Sequence, residues 1–225
     1  MKENIVIANL GTGNLHSVRK ALEHVSHGRA VSVTADPDEI RGAGHLVLPG
    51  QGAIGTWLAQ LQSNPDLKSA IIQRLGDGPC LGICLGLQAL FDFSEENDGC
   101  QGLGLLAGSV RHFSAHPDPD SDQTANALDR SDDLKIPHMG WNQVKQYHEH
   151  PLWHGIENQA RFYFVHSYFA DSTNSDEIMG QCHYGRWFTA AAARGNVFAT
   201  QFHPEKSHRT GLQLLTNFVN WNGDQ

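Results

Sequence analysis

Two short stretches of this sequence carry side chains able to do covalent chemistry. The first is Gly82-Ile83-Cys84-Leu85-Gly86, a cysteine held between glycines in the pattern Gly-x-Cys-x-Gly. It is the thiol counterpart of Gly-x-Ser-x-Gly, in which a sharp strand-to-helix turn lifts a nucleophile above the end of a sheet. Glycine is needed on both flanks because a larger side chain would collide with the tight turn and the neighbouring strand. A helix beginning at Leu85 points its first N–H groups at the sulfur, which favours the thiolate and offers a donor to an oxyanion. A free cysteine in a glycine-rich turn can equally be an inert buried residue. The second stretch is Gln201-Phe202-His203-Pro204-Glu205-Lys206-Ser207. A cysteine nucleophile needs an imidazole base, which comes from elsewhere in the fold. Glu205, two residues beyond His203, can hold that ring in one tautomer, as the carboxylate does in serine triads. Alone, His-Pro-Glu is an ordinary turn at the end of a strand. Together the two stretches are far more specific than either.

The elements that must position these residues are legible in outline. Ile5-Val6-Ile7-Ala8 is a compact apolar run followed by a glycine-containing loop. Leu15, Val18, Leu22 and Val25 then recur at helical spacing, with Gly28 as the stop. Residues 30–33 form a second strand, and Asp36-Pro37 caps a helix. Residues 45–48 form a third strand, ending in the turn Pro49-Gly50-Gln51-Gly52. A helical stretch follows, and Asn64-Pro65 opens another helix to about residue 75. Residues 79–83 form the strand before the cysteine, and 85–91 the helix after it. Strands alternating with helices imply parallel pairing. The second half is β-rich, with runs at 105–113, 161–170, 178–183, 187–193 and 197–202 and a hairpin turn at Arg194-Gly195-Asn196. A final helix at 207–221 carries Leu212, Leu215, Phe218 and Val219 on one face. The segment from Ser114 to Asp133, rich in Asp, Pro and Ser, reads as a mobile surface loop rather than a domain boundary. The expected fold is a single α/β domain over residues 1–225, a mixed, mostly parallel sheet flanked by helices.

Composition excludes several function classes. With 24 acidic against 16 basic side chains, the formal charge is −8, which argues against nucleic-acid binding, where the usual footprint is a clustered basic face. No run approaches the roughly 18 apolar residues of a membrane-spanning helix. The N-terminal residues lack the apolar region of a signal peptide, so a soluble, cytoplasmic protein is expected. Cysteines stand at 80, 84, 100 and 182. Nothing suggests secretion, and Cys80 and Cys84 miss the Cys-x-x-Cys spacing. His148-Glu149-His150 with His154 reads as solvated loop histidines, and no metal site is expected. Gly11-x-Gly13 follows a strand, but His16 occupies the third glycine position, so no dinucleotide cofactor is implied.

Over nearly its whole length the chain resembles the class I glutamine amidotransferases. The elbow 82–86 with Gln88, and His203-Pro204-Glu205, mark that superfamily. Four stretches are similar to one branch, the glutaminase subunits of imidazole glycerol phosphate synthase. They are Gly13-Asn14-Leu15-His16-Ser17-Val18, Ile136-Pro137-His138-Met139-Gly140-Trp141-Asn142, Phe162-Tyr163-Phe164-Val165-His166-Ser167-Tyr168, and the stretch from Gln201 to Ser207. The middle two discriminate best. Asn9-Leu10 and His16 depart from the usual family residues, and residues 114–133 look like an insertion. The resemblance implies hydrolysis of L-glutamine to glutamate and ammonia, with Cys84 as nucleophile, His203 moving the proton and Glu205 orienting it. It implies oxyanion donors at Leu85 and in the loop of Gly50, Gln51 and Gly52, and glutamine contacts from Gln88, Ser167 and Tyr168. It also implies a heterodimer in which a (β/α)8-barrel cyclase subunit takes up ammonia through a tunnel. That subunit would then make imidazole glycerol phosphate and aminoimidazole carboxamide ribotide in histidine biosynthesis. Met139, Trp141, Tyr163 and Lys206 match positions near that interface, with local core packing as the lesser alternative for Trp141 and Tyr163. No cofactor, metal, nucleic acid or membrane is implied. A paralogous amidotransferase serving another synthase, such as one building an amidino surface sugar, would carry an identical triad. A stand-alone cysteine hydrolase would not need the 136–142 stretch. A silent binding module should lack part of the triad, and here Cys84, His203 and Glu205 are all present.

Overall fold

Strands that read as unbroken apolar runs must be covered on both faces, and the first strands of this chain have that composition. The computed structural model describes residues 4–115 and 134–224, so most of the segment 114–133 lies outside the described residues. The fully buried β1 (Ile5–Ala8) is followed by α1 (Leu15–Val25). Asn14 starts that helix by accepting the Ser17 N–H, and Val18, Leu22 and Val25 face inward. After β2 (Val31–Thr34), Asp36 caps the short α2 (Pro37–Arg41) by accepting the Asp38 N–H. The chain continues through β3 (His45–Gly50), α3 (Ile54–Ser63), α4 (Pro65–Asp77) and β4 (Cys80–Cys84) into α5 (Leu85–Gln88).

Two boundaries differ from expectation. β3 does not turn at Pro49, because Pro49 and Gly50 stay in the sheet opposite Ile83 and Cys84. The helix after the elbow is a single turn rather than reaching residue 91, and Phe91 opens β5 (Phe91–Ser94). The carbonyls of Ala89 and Leu90 accept the N–H groups of Leu103, Leu105 and Leu106 at 2.8–2.9 Å. That pairing ties the backbone just after the helical turn to a distant segment as Phe91 enters the sheet.

The second half contributes β6 (Cys100–Gln101), β7 (Leu106–His112), β8 (His138–Gln143), β9 (Lys145–Gln146), β10 (Arg161–His166), β11 (Tyr168–Ser172), β12 (Ile178–His183), β13 (Trp187–Arg194) and β14 (Val197–Thr200), then α6 (His208–Asn220). The run 161–170 is therefore two strands, not one. β10 pairs antiparallel with β8 in a separate two-stranded sheet, whereas β11 pairs with β7 and β13 in the main sheet. The corner at Ser167 is closed by His166, whose Nδ1 donates to the Tyr168 carbonyl at 2.8 Å. In α6 the buried face is Gly211, Leu214, Leu215, Phe218 and Val219, with Leu212 only partly covered.

Among the described residues the main sheet has twelve strands, running β2-β1-β3-β4-β14-β13-β11-β7-β5-β6, with β12 and β9 branching from β13. Its first five strands are parallel. Alternate residues feed two cores. Ile5 and Ile7 pack with α1 and α6, while Val6 and Ala8 pack with α3 and α4. This is the expected α/β architecture, a mixed sheet with a parallel five-strand half between helical layers. No described helix is long and apolar enough to cross a membrane.

Candidate active site

Register places the chemistry. β3, β4 and β14 are parallel neighbours, with Gly50 opposite Cys84 and Thr200 opposite Ile83. Their carboxyl ends therefore deliver the Gly50 loop, the elbow and the His203 loop to one edge, where ligands of open α/β sheets bind. Cys84 sits at φ +54°, ψ −100°, a strained conformation for a residue with a side chain, of the kind held at functional turns. A Cβ on Gly86 would lie 1.9 Å from the Leu48 carbonyl oxygen, and one on Gly82 2.9 Å from Ala199 Cβ. The elbow can pass between β3 and β14 only because both positions lack side chains.

His203 arrives on a 3₁₀ turn, Pro204–Lys206, directly after β14. Its Nδ1 lies 2.8 Å from Glu205 Oε1, and both side chains are almost fully buried. Burial pushes the imidazole downward, but the Cys84 sulfur and the Glu205 carboxylate outweigh it and raise the group to about 10. Those two neighbours favour the imidazolium; its Nδ1 bonds to the carboxylate, while the buried Nε2 makes no hydrogen bond among the described residues. The loop is anchored from outside by β10: His203 N–H donates to the Tyr163 carbonyl at 2.9 Å. Ser207 Oγ donates to the His203 carbonyl and accepts the Tyr163 N–H.

Cys84 opens on a cavity of about 430 Å³. Leu85, Gln51, Gly52, Gln88, Ser167, Tyr168 and Lys206 line it, as do Glu96, Pro137, Val165 and His166. Gly50 does not line it. It is buried behind the wall, where a Cβ would come within 2.6 Å of Leu85 Cβ. Gln88 Nε2 donates to the Tyr168 carbonyl at 2.9 Å and to Gln201 Oε1 at 3.3 Å. Since His166 donates to the same carbonyl, that oxygen of Tyr168 is already taken. Glu96 Oε2 accepts the Ile54 N–H at 3.0 Å. Burial raises the Glu96 carboxyl, opposed by that N–H and by His112.

Residues 6–221 match the family described as Glutamine amidotransferase class-I. The chain belongs to this family. This amidotransferase is 49% identical to the imidazole glycerol phosphate synthase subunit HisH 1 of Pseudomonas aeruginosa, over 99% of both chains. It is also 49% identical to the subunit HisH of Thiobacillus denitrificans, over 99% of this chain and 93% of that one. A crystal structure titled glutamine amidotransferase superposes with a TM-score of 0.67 at 15% identity, covering 96% of this chain and 99% of the other. That likeness bears on the fold alone.

Of the remaining residues singled out in the amidotransferase sequence, Met139, Trp141 and Tyr163 lie on the outer face of the β8–β10 sheet, and Lys206 stands beside it on the 3₁₀ turn after His203. Met139 is 62% exposed and Trp141 42%. Trp141 stacks on His208 at 5.0 Å and meets Tyr163 edge-on at 6.1 Å, while Lys206 Nζ sits 6.0 Å over the Tyr163 ring. Among the described residues no cluster of ligand-type side chains could hold a metal ion. His150 is buried as the cap of a 3₁₀ turn, accepting the Leu152 N–H, and not a solvated loop residue. Sequence reasoning missed Glu96 and His166 as cavity residues. Glu96 stands in Ser94-Glu95-Glu96-Asn97-Asp98, a stretch whose charge reads as a solvated surface. His166 lay inside a quoted stretch, but its burial gave no local signal.

Proposed function

We propose that this amidotransferase hydrolyses the side-chain amide of L-glutamine and passes the ammonia to a cyclase subunit, as the glutaminase half of an imidazole glycerol phosphate synthase in histidine biosynthesis. The observation that carries the reading is the Cys84–His203–Glu205 line at adjacent strand ends, opening on a cavity with a half-buried carboxylate. Near-full-length likeness to subunits of that name supports the pathway.

The geometry suits the following course. The Cys84 thiolate attacks the carboxamide carbon, and the oxyanion meets the Leu85 N–H and a donor from Gln51 or Gly52. The His203 imidazolium gives its proton to the departing nitrogen, so that ammonia leaves and a thioester remains. Neutral His203 then takes a proton from water, which attacks the thioester and releases glutamate, restoring thiolate and imidazolium. Glu205 holds the ring throughout. Gln88 has committed both N–H groups, leaving its carbonyl to accept from the substrate, and Glu96 suits the α-ammonium. Ser167 and Tyr168 form the facing wall.

The exposed Met139 and Trp141, with Tyr163 and Lys206, form the surface for the (β/α)8-barrel partner. Tyr163 bonds to His203 through its backbone and Lys206 reaches the cavity, so docking bears on the triad. The four cysteines are free thiols, in keeping with a reducing cytoplasm. The test is Cys84→Ala assayed with a histidine-pathway cyclase subunit. Glutamine-dependent synthesis should vanish while ammonium salt still supports it. Retained glutamine use would overturn the nucleophile. Failure of the wild type to support this cyclase would favour the paralogous synthase.

A further inference from the structure

Gln201, which the mechanism above does not use, is fully buried and lies between the cavity wall and the nucleophile. Its N–H donates to the Ala190 carbonyl at 2.8 Å, so β13 fixes its backbone immediately after β14. Its carboxamide reaches sideways. Oε1 accepts from Gln88 Nε2 at 3.3 Å, and Nε2 donates to Cys84 Sγ at 3.7 Å.

The direction of this chain follows from its far end. A main-chain carbonyl can only accept, so Gln88 must turn its nitrogen toward the Tyr168 oxygen. The second hydrogen of that nitrogen faces Gln201, which must answer with its own oxygen. Only the nitrogen of Gln201 is left for the sulfur. Reversing either amide would set oxygen against oxygen or nitrogen against nitrogen inside a buried site, which is costly.

We propose that Gln201 is a positioning residue for the nucleophile, its side-chain N–H holding the Cys84 sulfur toward the substrate and favouring its anionic form. The assignment rests on the reading of Cys84 as nucleophile. A donor to sulfur strengthens as charge accumulates there. It therefore acts before attack, when the thiolate waits, and again when the thioester breaks and the sulfur leaves as thiolate. In the intervening acyl-enzyme the sulfur is uncharged and the contact is weakest. Gln201 thus complements His203, which gives up its proton during the first half of the reaction. The chain also links the sulfur to Gln88 in the cavity wall.

The experiment is alkylation of Cys84 by iodoacetamide, followed by mass spectrometry across pH, on the full chain and on Gln201→Met and Gln201→Glu. The other ionisable groups around the sulfur are His203 with Glu205 behind it, and Glu96, His166, Tyr168 and Lys206 along the cavity. All are unchanged in these variants. For Gln201→Met the midpoint of the profile should rise by about one pH unit, so that alkylation on its acid limb slows about tenfold. Gln201→Glu, which keeps the shape but loses the donor, should shift it further. In the cyclase complex kcat should fall with KM for glutamine little changed. Gln88→Met should give part of the same shift, and the double variant less than the sum. An unchanged alkylation profile in variants that unfold as cooperatively as the parent would overturn the proposal, as would a drop in kcat without a shift. Glutaminase activity surviving in Cys84→Ser would instead overturn the underlying assignment of the nucleophile.

Discussion

Three histidines are buried without charge, and together they should make the protein acid-labile well above the usual carboxylate range. Burial lowers His138 and His150 to about 4, and burial, followed by His138 and His203, lowers His166 to about 3. The hydrogen bonds explain why a proton finds no place. His166 Nδ1 donates to the Tyr168 carbonyl, so its Nε2 accepts from His138 Nδ1 at 2.9 Å. His138 Nε2 in turn lies 3.3 Å from Asn142 Nδ2, a donor. Charging either ring sets N–H against N–H. His150 accepts the Leu152 N–H on Nδ1, and its buried Nε2 has no partner among the described residues. The unfolded chain titrates these groups near 6.5, so below that pH it binds more protons than the folded state, and stability falls as pH falls. Each histidine contributes about 1.4 kcal/mol per pH unit, hence about 4 for the three, through the window between roughly pH 6 and 4. Integrated from pH 7 to pH 5 the loss is about 5 to 6 kcal/mol, comparable with the whole stability of many domains. His45, also lowered by burial, adds to the loss, and the raised Glu96 and His203 oppose it. Urea unfolding at several pH values measures this slope. His150→Asn, which retains a capping acceptor, should reduce it by about a third. A stability that is flat from pH 7 to 5, or a slope unchanged in His150→Asn, would refute the reasoning.

On the proposed roles, in which Glu205 orients His203 and transfers no proton, Glu205→Gln should lose less glutamine turnover than His203→Asn, whose loss should be about a hundredfold or more. In Glu205→Gln the alkaline limb of the pH–rate profile should move to lower pH, since one of the groups that raise His203 is gone. Gly86→Ala must push a methyl into the Leu48 carbonyl and should destabilise by about 1–3 kcal/mol or more, measured as a fall in the thermal midpoint. Trp141→Ala should weaken binding of the cyclase subunit roughly thirtyfold in calorimetry while leaving the isolated fold intact. Unaltered affinity would return Trp141 to a packing role.

Features that encode themselves within a turn were legible from the residues in order. Gly82, Cys84 and Gly86 specify their own tight turn, and the two-residue spacing of His203 and Glu205 places their side chains 2.8 Å apart. The alternation of β1 through β4 with helices announced a parallel sheet because each strand's coverage is written in its own composition. Other features depend on which segments become neighbours. That Cys84 meets His203 follows from β4 pairing with β14, and no local spacing records strand order. The run 161–170 is uniformly β-like, yet it changes sheet at Ser167 because β8 and β7 compete for its two halves. The helix after the elbow is one turn long, and Phe91 goes instead into a strand against Leu106, a partner distant in the chain. Glu96 turns inward because the start of α3 offers it the Ile54 N–H, and Gln201 donates to sulfur because the Tyr168 carbonyl, through Gln88, leaves its amide one orientation. Local sequence sets the energies of turns and faces, whereas burial and hydrogen-bond direction are set by partners that only the closed fold supplies.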